Sequence, residues 1–267
     1  DRDLALSSPS SLREISDLKT LAEVVRIRMA QGEPRLYYSE SDVRLFLGGL
    51  AASRLHLLQG ISGTGKTSLP QSFFQALGGE DAATIIEVQA GWRDQDDLFG
   101  YYNAFEKRYI ESEFTKALYR ALLPANQDRA MVIILDEMNL SHPEQYFGSM
   151  LSILEKPKQE DRKIALLSSA LPGLPEKMMN GQLSIAQNVW FVGTANHDET
   201  TVAFADKTYD RSHVQELPDQ YIKFKADRRV EGDPISYQAL QEHFSLARDT
   251  HKVETQLALE LLNGDLR

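Results

Sequence analysis

The stretch Leu55-His56-Leu57-Leu58-Gln59-Gly60-Ile61-Ser62-Gly63-Thr64-Gly65-Lys66-Thr67-Ser68 decides how this chain is read. Leu55 to Gln59 predict a short strand, and an apolar helical pattern runs on through Leu77. Between them, Gly60, Gly65, Lys66 and Thr67 fill every fixed position of the phosphate-loop pattern: glycine, four residues, glycine, lysine, serine or threonine. Chance supplies roughly 0.01 such matches in a chain of this size. Glycines let backbone N–H groups curl around phosphate oxygens, and the helix that follows offers its positive end. The candidate binding residues are therefore Gly60, Ile61, Ser62, Gly63, Thr64, Gly65, Lys66, Thr67 and Ser68. Lys66 would neutralise the β- and γ-phosphates, and the Thr67 hydroxyl would sit on Mg²⁺.

Some 70 residues downstream, Met131-Val132-Ile133-Ile134-Leu135 is a continuous apolar run of the kind buried on both faces of a parallel sheet, and it ends in Asp136-Glu137. Adjacent residues at a strand end point to opposite sides, so Asp136 can face the metal while Glu137 faces the attacking water as general base. A third strand, Val189 to Gly193, leads through Thr194 and Ala195 to Asn196. An amide there could orient the water or touch the γ-phosphate, and equally it could be an ordinary turn asparagine.

Outward from these motifs, Leu18, Leu21, Ala22, Val25 and Met29 recur at helical steps, and a second helix is predicted over Ser41 to Leu50. Thr84 to Gln89 reads as a strand, Trp92 to Asn103 as a loop, and Ser112 to Leu123 and Pro143 to Glu155 as helices. Residues 156–188 are irregular, with Ile164 to Leu167 as a hairpin strand. Val214 to Leu217 supplies a last strand, and two helical patterns start at Ser236 and Thr250. Strands alternating with helices predict an α/β fold with a central parallel sheet flanked by helices. N-terminal helices and a partial C-terminal helical lid are added to it. The expected division is 1–38 as a helical extension, 39–220 as the phosphate-loop core, and 221–267 as the lid.

Composition bounds the function. The 267 residues carry 29 basic and 39 acidic side chains, a net charge of −10, which argues against a globally basic nucleic-acid binder. With no cysteine there is no disulfide framework, thiolate zinc site or cysteine nucleophile. Apolar runs fall far short of the roughly 20 residues that span a bilayer, so a cytoplasmic protein without membrane contact is expected. A start at Asp1 reads as a domain excised from something longer. His142, His197 and His213 have no metal-ligand spacing. Trp92, Tyr101 and Tyr102 read as packing residues. Lys156, Lys158, Arg162, Lys163 and Lys177 make 156–188 locally basic: a solvated loop first, and a segment that could touch a nucleic-acid backbone second.

A phosphate loop, a strand ending in Asp-Glu and a later strand ending in Asn, in this order, resemble the AAA+ ATPases. Three stretches resemble the branch of McrB-type restriction motor subunits, MoxR-like ATPases and dynein-related, midasin-like proteins, and McrB is the nearest likeness. They are Gly91-Trp92-Arg93-Asp94-Gln95-Asp96-Asp97-Leu98-Phe99-Gly100-Tyr101-Tyr102-Asn103, Asp136-Glu137-Met138-Asn139-Leu140-Ser141, and Gly193-Thr194-Ala195-Asn196-His197-Asp198-Glu199-Thr200-Thr201. The resemblance covers roughly residues 40–220 and implies Lys66 and Thr67 as the loop lysine and Mg²⁺ ligand. It implies Asp136 and Glu137 as the metal-side acid and catalytic base, and Asn196 as the polar sensor.

The resemblance further implies a ring, commonly a hexamer, with each site completed by an arginine of the neighbour. Arg211 in Tyr209-Asp210-Arg211-Ser212 is the first candidate, with Arg228 and Arg229 as alternatives. Arg248 could reach phosphates from the lid, and in this branch a hairpin insertion such as 156–188 often lines the pore. The expected function is an ATP-hydrolysing, Mg²⁺-dependent motor that remodels or translocates a macromolecule, with DNA restriction and a nuclease or other effector partner suggested by the McrB likeness. The alternatives are a nucleotide-dependent assembly switch and a MoxR-like chaperone acting on a protein complex. ATP is the expected nucleotide, and GTP stays open because loop residues read phosphates rather than the base. A small-molecule kinase shares the first motif but generally lacks the acidic strand followed by an asparagine strand.

Overall fold

The computed structural model describes residues 14–167, 174–178, 180–196, 201–218, 223–226 and 234–264. Two helices open it, α1 (Leu18–Gln31) and α2 (Glu40–Ala52), each started by a side-chain cap: Asp17 accepts from the Thr20 N–H and Ser39 from the Asp42 N–H. Then follow β1 (Leu55–Gly60), α3 (Ser68–Gly78), β2 (Ala83–Glu87), α4 (Gln95–Phe99), β3 (Gly100–Asn103), β4 (Arg108–Glu111) and α5 (Glu113–Ala121). The remainder is β5 (Met131–Asp136), α6 (Pro143–Tyr146), α7 (Gly148–Leu154), β6 (Lys163–Ala165), β7 (Gln182–Ser184), β8 (Val189–Asn196), α8 (Asp206–Tyr209), β9 (His213–Glu216) and α9 (Tyr237–Gly264).

Five strands form one sheet in the order β2-β5-β8-β1-β9, with every neighbouring pair parallel. Alternation along the buried strands sends side chains to two separate cores. Leu55, Leu57, Ile133, Leu135 and Phe191 pack with Phe114, Tyr146 and Phe147 on one face. On the other, Leu58, Val132, Ile134, Trp190 and Val192 pack with residues of α1, α2, α3 and α9. With both faces covered, β5 and β8 are buried along nearly their whole length, which is why they read as unbroken apolar runs. All five strands point their carboxyl ends the same way, so the loops after β1, β5 and β8 meet at one edge, where α/β sheets bind ligands.

Several local readings change. The predicted loop from Trp92 holds α4, closed by a capping box between Asp94 and Asp97, and the two-stranded hairpin of β3 and β4. Its short strands are half solvated and carry little periodicity. The helix predicted over 143–155 breaks at Phe147 into α6 and α7. Segment 156–188 contains the antiparallel pair β6 and β7, and the C-terminal patterns are one helix of 28 residues. α9 buries Leu240 and Phe244 on the second core, with Phe244 edge-on to Trp190. Among the described residues no helix is long and apolar enough to cross a membrane.

Candidate functional site

The phosphate loop turns from β1 into α3 through three glycines in backbone conformations that side chains rarely adopt: φ is +149° at Gly60, +85° at Gly63 and +83° at Gly65. A Cβ at Gly65 would also lie 2.8 Å from the hydroxyl of Tyr38, which donates a 3.1 Å hydrogen bond to the Gly65 carbonyl. Tyr38, in the connection between α1 and α2, thus buttresses the loop from outside the motif. The Lys66 ammonium folds over the loop and donates to the Gly60 and Ile61 carbonyls at 3.1 and 2.6 Å.

Thr67 stands at the N-cap of α3, yet its side chain does not cap the helix. It crosses to the acidic strand, and Oγ1 donates to Asp136 Oδ1 at 2.5 Å. The same carboxylate oxygen accepts a 2.7 Å bond from Thr194 Oγ1 on β8, and that hydroxyl accepts the N–H of Glu137 at 2.9 Å. Thr194, buried in an otherwise apolar strand, was given no role by the motif reading. Its signal in the sequence is the lone hydroxyl between Gly193 and Ala195.

Asp136 and Glu137 diverge for a reason other than strand alternation. β5 ends at Asp136, and Glu137 takes a left-handed backbone, φ +52° and ψ +46°. That turn aims its carboxylate at Asn196, whose Nδ2 donates to Glu137 Oε1 at 3.4 Å. Asn196 pairs in register with Gly60 at the start of the loop. Asn139 holds it there, donating through Nδ2 to the Asn196 carbonyl at 2.9 Å and accepting the Asn196 N–H at 3.3 Å. Gly193 is needed behind the site, because a Cβ there would meet Met138 Sδ at 2.4 Å and Leu57 Cδ2 at 2.9 Å. Thus Lys66, Thr67, Asp136, Glu137 and Asn196 gather on one edge.

Arg211 does not join them. It precedes β9, its carbonyl accepts from Ser53 ahead of β1, and its Nε donates to Glu155 at 2.6 Å. Gly60 is at the other end of β1, whose six residues rise roughly 20 Å, so Arg211 cannot touch a phosphate in its own chain's loop. Arg248 also points to this lower edge, where Nη1 donates to the Ala51 carbonyl at 2.6 Å, away from its own chain's loop. Arg228, Arg229 and His197 lie outside the described residues, among which no cluster of three or more His, Cys, Asp or Glu could hold a metal.

A family model described as the AAA domain of the dynein-related subfamily matches residues 56–211. The chain belongs to that family. The chain is 21% identical over 175 residues to the type IV methyl-directed restriction enzyme EcoKMcrB subunit of Escherichia coli K12, covering 64% of this chain and 36% of that protein. The chain therefore spans about a third of that curated relative. A crystal structure of a candidate ATPase from Cytophaga hutchinsonii superposes with a TM-score of 0.50 at 14% identity, over 85% of this chain and 62% of that one, a likeness of fold.

Around the AAA core, Trp92 packs edge-on against Tyr146, as a packing residue should. Tyr101 and Tyr102 instead lie on the β3–β4 hairpin at 52% and 37% exposure, and Phe105 at its tip is 99% exposed. Sequence reading missed this hairpin as an element, although its aromatic residues were visible.

Proposed function

We propose that the chain is the core of an AAA motor that hydrolyses ATP in an oligomeric ring to remodel or translocate a macromolecule. The observation that carries the reading is the separation of Arg211 from Glu137. One edge of the sheet holds a phosphate loop and acidic pair, while the candidate finger sits on the opposite edge, so a single chain makes an incomplete site. A neighbour that places its Arg211 over this chain's loop completes it, and each Arg211 first leaves Glu155. Such a finger is worth about 10³ to 10⁵ in rate.

In this reading Lys66 leaves the loop carbonyls to hold the β- and γ-phosphates, and Glu137 takes a proton from the attacking water. Asn196 orients that water and the Glu137 carboxylate together. Thr67 and Asp136, already 2.5 Å apart, are a hard oxygen donor pair of the kind Mg²⁺ takes. The ion, when bound, neutralises phosphate charge. The β3–β4 hairpin, with Phe105 at its tip, is the surface we assign to client contact. Kinship with a restriction subunit favours DNA as that client and a nuclease as effector.

The test is steady-state ATP hydrolysis per protomer across a wide range of protein concentration, with Mg²⁺ and with GTP in parallel. A specific rate that climbs with concentration is expected, together with further stimulation by DNA. A flat rate that ignores DNA would make the protein a nucleotide-dependent assembly switch instead. Mixing Arg211→Ala chains with Lys66→Ala chains should restore part of the activity that each lacks alone.

A further inference from the structure

The lower edge of the sheet holds a cluster of cations that the nucleotide site does not use. Two cavities open there, of about 660 and 260 Å³, and Arg54 and Arg162 line both. Arg54 is held at the start of β1 with its guanidinium 4.3 Å over the Trp190 ring, and its Nη2 donates to Tyr237 Oη at 3.2 Å. Its Nη1 is buried and has no hydrogen-bond partner among the described residues. A charged donor left unmade in a protein interior is costly, and natural structures seldom keep one without a reason.

No carboxylate pairs directly with Arg54 among the described residues. Asp128 lines the larger cavity, but both of its oxygens accept from Ser236 and one also from the Gln238 N–H at the start of α9. Glu155 lines the smaller cavity and is taken by Arg211, and Asp210 is the other carboxylate there. Burial pulls the Arg54 pKa below its ordinary value, and nearby Arg162 and Arg248 add to that effect in the same direction. Around the two cavities Arg54, Arg162 and Arg211 are matched in number by Asp128, Glu155 and Asp210, and of these six only Arg54 keeps a buried donor without a partner among the described residues.

We propose that the space between Arg54 and Arg162 is a second oxyanion site, built for a phosphate group and distinct from the phosphate loop. Nη1 reaches the ligand by a turn of the planar guanidinium that exchanges the Nη2 bond to Tyr237 for bonds to the oxyanion, while the face contact with Trp190 keeps the side chain under the cavities. Arg162 closes the site from the β6–β7 segment, where its Nε already donates to the Lys156 carbonyl at 2.9 Å and so fixes its direction. A planar fork facing an oxyanion is the geometry in which arginine outperforms lysine. The phosphate can come from solution or from the nucleotide of a neighbouring copy docked through Arg211, and the second source rests on the ring reading above.

The probe is inorganic pyrophosphate, titrated calorimetrically into the Lys66→Ala chain so that the phosphate loop is weakened. Binding is expected there, weakened about tenfold or more by Arg162→Ala and by Arg54→Lys, as loss of a charge-assisted hydrogen bond implies. Arg162 is half-exposed and its replacement keeps the fold, which circular dichroism checks. No binding, or an affinity unchanged within twofold in both variants, overturns the proposal whatever the oligomeric state. Source is read separately, by mixing Arg162→Ala with Lys66→Ala chains. Turnover lost in Arg162→Ala alone and restored on mixing assigns the site to a neighbour's nucleotide, and binding with turnover undiminished in Arg162→Ala alone assigns it to free phosphate.

Discussion

Thr194 Oγ1 and Asp136 Oδ1 lie 2.7 Å apart across β8 and β5, and this contact ties the acidic strand to the asparagine strand. The hydroxyl also accepts the Glu137 N–H, so it fixes the candidate metal ligand Asp136 and the candidate base Glu137 together. Thr194→Val keeps shape and removes both bonds. It should cost about 1–3 kcal/mol in urea unfolding and lower turnover, while Thr194→Ser restores both. A fully active, fully stable valine variant would show that the bridge is idle.

Glu137 and Asp136 should separate by kinetics. Glu137→Gln is expected to keep nucleotide affinity within a few-fold and to lose about 10² to 10⁴ in turnover, the range of a general base. Asp136→Asn should instead weaken nucleotide binding only when Mg²⁺ is present. Fluorescent-nucleotide titrations with and without Mg²⁺, run beside turnover, distinguish the two; equal effects on binding would remove the division of labour.

Phe105 should matter for clients and not for folding. Because it is 99% exposed, Phe105→Ala should shift stability by no more than about 0.5 kcal/mol. Stimulation of ATP hydrolysis by DNA should fall at the same time. If stimulation survives, the hairpin is not the contact.

Acid should destabilise the protein through His56. Burial first, and then the neighbouring His213, hold its pKa down to about 3 against an ordinary 6.5. Phe46 stacks on the ring, Gly49 backs it, and both ring nitrogens lack partners among the described residues. Below pH 6.5 the unfolded chain takes up a proton that the folded chain refuses. Stability is therefore complete above about pH 6.5 and falls towards pH 3 by roughly 1.4 kcal/mol per unit at most. His213, its pKa lowered by burial, works in the same direction. Denaturant unfolding of wild type and His56→Leu at pH 7 and pH 4.5 checks this: the variant should lose less stability between the two, and equal losses would place the acid sensitivity elsewhere.

What the sequence determined by itself was the frame: β1, the loop from Gly60 to Thr67, the apolar strands β5 and β8, and the polar residues at their ends. These were legible because each rests on local chemistry, on glycines where side chains cannot go and on runs of apolar residues that only a doubly covered sheet would bury. What tertiary structure decided were relations between residues far apart in the chain. Tyr38 supports Gly65, Thr194 bridges Asp136 to Glu137, Asn139 clamps Asn196, and Arg211 and Arg248 stand a strand's length from their own chain's loop. No periodicity encodes such contacts, because they depend on strand order and register, which are set when both faces of the sheet are packed. The β3–β4 hairpin escaped for the complementary reason: a half-solvated element buries too little to leave a pattern.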